Sequence, residues 1–162
     1  MGCDIHVAIQ VLDGDVWTHV QYQVLWPFEV AEGQQPIPGV PLAPVELIAR
    51  NYDLFGILAG VRSDQWDIVA PRRGWPEDFR AEDVPVDPKY PEEGPRSMGE
   101  HSFTWLTLAE LKAYDWTATV AYGYMGNDTV YARDTDWPDK VIPWLEQVAA
   151  GHELRLVLGF DS

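Results

Sequence analysis

Asp4 and His6 stand two positions apart. In an extended strand that spacing turns both side chains to one face, with their heads close enough to share a ligand. A carboxylate beside an imidazole serves as a general acid–base pair or as two ligands to a divalent metal such as Zn²⁺, Mn²⁺ or Fe²⁺. The residues alone leave the cofactor unknown, and a plain surface role for both is the simpler alternative. His101 and Ser102 form a second group, expected just before a helix that starts near Thr107. Free backbone N–H groups and the helix dipole favour an anion there, although the same residues equally suit capping of the helix.

Basic residues number only 11 against 26 acids, so Arg50, Arg62, Arg72 and Arg73 carry weight. A guanidinium pairs bidentately with carboxylate or phosphate, and a salt bridge to one of 26 acids is the simplest use of each. Arg50, Asn51 and Asp53, with Tyr52 among them, put donors, a ring and a carboxylate into one short stretch. The expected acid–base residues are therefore Asp4, His6 and His101, with Asp4 and His6 also the metal candidates. Arg50, Asn51, Asp53, Arg73 and Ser102 are the expected ligand-binding residues, with Trp105 stacking on a base. Cys3 falls among apolar neighbours and reads as a buried small hydrophobe.

The elements that must position these groups show in the pattern. Cys3, Ile5, Val7, Ile9 and Val11 alternate with Asp4, His6, Ala8, Gln10 and Leu12, which predicts a half-buried strand. Asp13-Gly14 supplies a two-residue turn, and a return strand from Asp15 to about Leu25 pairs Val11 with Val16 and Val7 with Val20. That register sets His6 opposite Gln21, Asp4 opposite Gln23 and Ala8 opposite His19, gathering a polar face. Pro27 to Pro44 is too rich in Pro and Gly for regular structure, apart from an extended piece around Val40.

Tyr52, Phe55, Leu58 and Val61 recur at helical spacing, with Asn51 or Asp53 near the start and Gly60 near the end. Residues 63–100 form a long acidic, Pro-rich loop, and loops of that length are commonly functional or mobile. Thr107 and Glu110 have capping-box spacing ahead of Leu108, Leu111 and Tyr114. A second hairpin is expected from Thr117 to Arg133, turning at Gly126-Asn127-Asp128. Asp136 with Pro138 opens a helix that runs through Ala150 and closes at Gly151. His152 to Phe160 then alternates as a strand of the first hairpin's sheet. The fold class is α+β, one domain over 1–162: an antiparallel sheet of hairpins covered on one face by about three helices.

Composition excludes several classes. The chain is 46% hydrophobic with eight Trp, so it folds. No stretch approaches the roughly 20 apolar residues that span a bilayer, and no signal-peptide pattern leads it, so no membrane partner and a cytoplasmic location are expected. A formal charge of −15 gives a surface that repels nucleic acid, so direct nucleic-acid binding is not expected. A single cysteine leaves no intramolecular disulfide and no cysteine-rich zinc site. Walker A, dinucleotide-binding glycine, G-x-S-x-G, H-E-x-x-H and EF-hand patterns are all missing from the sequence.

Five blocks in order, Met-Gly-Cys-Asp-Ile-His at 1–6, Arg-Asn-Tyr-Asp-Leu-Phe-Gly-Ile-Leu-Ala-Gly-Val-Arg at 50–62, Pro-Arg-Arg-Gly-Trp-Pro-Glu-Asp at 71–78, His-Ser-Phe-Thr-Trp-Leu-Thr-Leu at 101–108 and Gly-Phe-Asp at 159–161, span most of the chain. Together they resemble a group of uncharacterised small proteins of bacteriophages and prophages. The resemblance implies an infected bacterial host as the setting and no particular activity. By analogy with phage accessory proteins, two functions are expected candidates. One is binding, with or without hydrolysis, of a small anionic, phosphorylated nucleotide-like ligand to counter host defence. The other is non-catalytic inhibition of a host protein by an acidic, DNA-mimicking surface. The oligomeric state is not legible.

Overall fold

A computed structural model describes residues 2–122, 124, 126 and 128–162. The expected first strand forms as β1 (Ile5–Asp13) and returns as β2 (Val16–Val20). Their turn is Gly14-Asp15, one step beyond the one expected, with Asp13 opposite Val16 and Ile9 opposite Val20. A primed turn on Asp13-Gly14 favours positive φ at both central residues; the turn that forms asks it only of Gly14, whose φ is 61°. Pairing accordingly moves by two residues: Val11 faces Thr18, and Gln10 rather than Ala8 faces His19. A shift of two keeps every side chain on its face, so the alternation survives. β2 nevertheless stops at Val20, short of Leu25, and leaves Ile5–Ala8 without a strand on that side.

The last strand, β6 (Leu154–Phe160), lies against β1, and β3 (His101–Thr107) lies on its other edge, giving an antiparallel sheet in the order β2-β1-β6-β3. The 101–107 segment is thus a strand, contrary to its reading as a loop before a helix. Every residue of β6 is buried, Arg155 included. On one face Ile5, Val7, Ile9, Leu156 and Phe160 pack against three helices: α2 (Tyr52–Ala59), α3 (Leu108–Ala113) and α4 (Ile142–Ala149).

These helices form where local signals place them. Asn51 Oδ1 accepts the Leu54 N–H, and Gly60 closes α2 in the left-handed region at φ 67°. Thr107 and Glu110 make the capping box of α3. Ahead of α4, Asp136 is itself left-handed at φ 63° and Trp137–Val141 forms a π-helical turn, so Asp136 is not a side-chain cap. Ala150 rather than Gly151 ends α4.

One helix was not expected: α1 (Pro27–Ala31), with Pro27 in its first turn and Glu29 accepting the Trp26 N–H. The extended piece after it is a single parallel bridge from Leu42 to Gln23. The second hairpin is small: β4 (Thr119–Val120) and β5 (Val130–Tyr131) pair in a sheet of their own, and Asn127 of the expected turn lies outside the described residues. No helix among the described residues is long and apolar enough to cross a membrane.

The sheet is covered on both faces, not one. Residues 63–100 carry only two 3-10 turns, at Ala81–Asp83 and Pro91–Glu93. They still pack Phe79, Val84 and Met98 over Ala8 and Val157 as a second core. Arg73 finishes the outer edge of β3, with its N–H on Thr104 Oγ1 at 3.2 Å and its Nε on the Trp105 carbonyl at 2.9 Å. With the Gly74 N–H on the Phe103 carbonyl at 3.0 Å, this occupies part of the edge against another strand.

Candidate functional site

Register across β1 and β6 sets Asp4 opposite Asp161 and His6 opposite Gly159. The diagonal contact joins His6 Nε2 to Asp161 Oδ2 at 2.6 Å. A carboxylate only accepts, so the proton of that bond sits on Nε2; in the neutral ring the lone pair then falls on Nδ1, which makes no hydrogen bond among the described residues. Asp161 also accepts the Asp4 N–H at 3.2 Å. The bond from His6 comes first among the causes that hold the Asp161 carboxyl below its ordinary pKa, and partial burial opposes it. Gly159 is required here, since a Cβ at that position would overlap the Met98 carbonyl oxygen.

Arg50 brings the second segment to the first. Its Nε and Nη2 both donate to Asp4 Oδ1, at 3.0 and 2.8 Å, and its guanidinium lies against Gly2 so closely that a Cβ there would meet Nη1 at 2.6 Å. The Tyr52 hydroxyl accepts the Cys3 N–H at 2.9 Å. Residues 2–6 are therefore held by the start of α2. Both partners of the Asp4–Arg50 pair are about half exposed, and an exposed ion pair is readily exchanged for another anion.

An open groove of about 640 Å³ runs along this end of β1, bordered by Asp4, His6, Arg50, Trp26, Asp87, Glu93 and Arg96. Ile5 and Val7 also border it while their side chains are in the core, so the groove meets the edge that β2 leaves unpaired. Tyr22, buried beneath, donates from its hydroxyl to the Val7 carbonyl at 2.8 Å. Arg96 lies 4.1 Å above the Tyr22 ring and donates to the Tyr22 carbonyl.

His101 and Ser102 do not stand at a helix N-terminus, because β3 separates them from the capped turn at Thr107. His101 pairs with Phe160 on the edge of β6 opposite Ile5. Its Nδ1 contacts Ser102 Oγ at 2.8 Å and its Nε2 contacts Ser162 Oγ at 2.9 Å. His6 and His101 thus flank the residues that follow β6, but His101 and Ser102 do not border the groove.

Other expected site residues have structural partners. Asn51 caps α2, and Asp53 accepts the Trp66 Nε1–H and the Tyr124 N–H, each at 3.0 Å. Arg73 and Trp105 sit together away from the groove: the guanidinium stacks 3.7 Å from the Trp105 ring and bonds Glu110 at 2.5 Å. Arg72 donates to the Ala59 carbonyl at the end of α2. The polar face expected along the hairpin divides, because Gln23 turns to the 37–40 loop and His19 to Gln10. For a metal, Asp4 is engaged by Arg50 and His6 by Asp161, and the described residues contain no cluster of three or more ligands. Asp161, Asp87 and Arg96 were not singled out; only Asp161 had a sequence signal, in the Gly-Phe-Asp block.

Comparison of the chain with models of protein families, with curated proteins and with solved structures finds no match.

Proposed function

We propose that the groove binds a small phosphorylated, nucleotide-like ligand and that His6, oriented by Asp161, acts on it as acid and base. One observation carries this reading: an imidazole with its Nε2 anchored 2.6 Å from a carboxylate borders a groove of about 640 Å³ that also carries two guanidiniums. In such an arrangement the carboxylate sets the tautomer and stabilises the imidazolium that forms. Arg50 would exchange Asp4 for a phosphate, and Trp26 would take the apolar part of the ligand. For hydrolysis, Nδ1 takes a proton from a water whose oxygen bonds phosphorus. The P–O bond to the leaving group breaks, and the proton passes to the leaving oxygen. A role against host defence during phage infection fits this chemistry and rests on the resemblance of the sequence blocks.

Native mass spectrometry of the chain with a bacterial nucleotide extract, followed by assay of phosphate esters remaining, tests the reading. A retained nucleotide mass that is lost in Arg50→Gln, with turnover lost in His6→Ala, supports it. No retained mass, or a mass and turnover unaffected by both changes, overturns it.

A second reading has its own observation. Asp64, Asp67, Glu77, Glu82, Glu92 and Glu100 are exposed and form no ion pair among the described residues. Exposed, unpaired carboxylates of this kind suit a cationic surface on a host protein. A complex insensitive to salt between 0.05 and 0.5 M, on the order of a tenfold range, would exclude it, since exposed charges are screened over that interval.

A further inference from the structure

The groove at His6 continues into another. A second groove of about 310 Å³ adjoins it, and Trp26, Ile48, Asp87 and Arg96 border both. Beyond this junction the second groove is flanked by Phe28 and Tyr90, which are 63% and 47% exposed. Large rings left this open beside a cleft are available stacking surfaces. The second groove also carries Glu29 and Lys89, whose charges cancel: Lys89 Nζ donates to both carboxylate oxygens, at 3.0 and 3.1 Å. It therefore offers rings and little net charge, while the His6 end offers Arg50 among the carboxylates of Asp4 and Glu93, which a bound phosphate must displace or clear.

At the junction stands an arginine with donors to spare. The Arg96 Nη1 reaches Asp87 Oδ2 only at 3.5 Å, the limit of a hydrogen bond, so the Nη hydrogens are available to a ligand; its Nε is buried and not open to one. The bond to the Tyr22 carbonyl fixes the guanidinium between the two grooves. A guanidinium so held suits an anionic linkage passing from one groove to the other.

We infer that the two grooves form one elongated site for a 5′-phosphorylated pair of nucleosides joined through phosphate. This rests on the ligand class proposed above and extends it. The terminal phosphate meets Arg50 beside His6, the first nucleoside lies against Trp26 and Ile48, the linking phosphate meets Arg96, and the second base stacks on Phe28 and Tyr90. Stacking on a ring tolerates any base, so adenine serves as the probe.

Calorimetric titration of the full chain with adenosine 5′-monophosphate and with the 5′-phosphorylated diadenylate pApA tests the inference. The diadenylate should bind at least tenfold more tightly. Phe28→Ala, a change at an exposed position, should remove that gain and leave mononucleotide affinity unchanged. Equal affinities for the two probes, or a gain that persists in Phe28→Ala, overturn the elongated site while the mononucleotide reading stands. No binding of either probe overturns both.

Discussion

His6 Nε2 and Asp161 Oδ2 lie 2.6 Å apart although 155 positions separate them in the chain. The contact exists because β6 runs antiparallel beside β1, which carries Asp161 to the strand end where His6 begins its own. A pair made this way is brought together by the register of the sheet, with Asp161 one residue past the end of β6.

Asp161→Asn tests that orientation. In the wild type at about pH 8, long-range proton–nitrogen NMR should show the His6 proton on Nε2, since the carboxylate can only accept. The amide can donate as well as accept, so the Nε2–H preference should weaken in the variant. A wild-type majority with the proton on Nδ1 would contradict the assignment.

The same pair sets an acid limit. Asp161 is held below its ordinary value of 3.8, chiefly by the bond from His6. A depressed carboxyl contributes stability that is complete above the unfolded value and is lost as pH falls through the folded one. Urea unfolding at pH 6 should find Asp161→Asn less stable by about 1 kcal/mol. Below pH 3.8 that difference should shrink. A difference that stays constant as pH falls well below 3.8 would show that the charge is not its source.

Gly159 and Gly99 hold the loop over the site. A Cβ on Gly159 would overlap the Met98 carbonyl, and Gly99, at φ 80°, lies against the Phe160 backbone. Gly159→Ala should cost about 2–3 kcal/mol in chemical denaturation, because backbone must move to make room. It should also disturb the His6 NMR signals, as residues 96–98 shift. A loss below about 0.5 kcal/mol would mean that the loop is not pressed onto the strand.

What could be read from sequence follows the range of the signal. Alternation in Ile5–Val11 and Leu154–Phe160, the Asn51 cap and the Thr107–Glu110 box are local, so β1, β6, α2 and α3 were legible. The turn at Gly14 was misplaced by one residue because two glycine-containing turns compete within Asp13-Gly14-Asp15. The long loop's role was hidden: Phe79, Val84 and Met98 are spaced without a period, yet they cover the second face. Within the site, Asp4 and His6 were visible as a strand pair. Their partners Arg50 and Asp161 were not assignable, because helix entry and strand register decided them.

Tyr22→Phe separates burial from hydrogen bonding under the groove. Burial is the main cause that pushes the Tyr22 hydroxyl up to about 12 from 10.0, with Arg96 opposing. A raised pKa contributes stability that is intact below the unfolded value and is lost as pH rises from 10.0 towards about 12. At pH 7 the variant should lose about 1 kcal/mol with the bond to the Val7 carbonyl. Near pH 12 the wild type should instead be the less stable, having lost roughly 2–3 kcal/mol by linkage. Denaturation curves that keep their order across this range would show that Tyr22 ionises as freely folded as unfolded.

Arg155 offers a test of how the second face is held. Its Nε donates to Gln10 Oε1 and its Nη2 to Asp78 Oδ1, both at 2.8 Å, and the guanidinium stacks 4.2 Å from the Trp17 ring. The partners differ: Gln10 is 3% exposed, whereas the Asp78 side chain is 60% exposed. Arg155→Met should therefore cost about 2–3 kcal/mol, mostly from stranding the buried Gln10 oxygen, since Asp78 regains water. Adding Gln10→Leu removes the stranded group and should restore at least about 1 kcal/mol, a coupling that a double-mutant cycle in urea reads directly. Strict additivity of the two changes would mean that Arg155 is held by Trp17 and Asp78 alone.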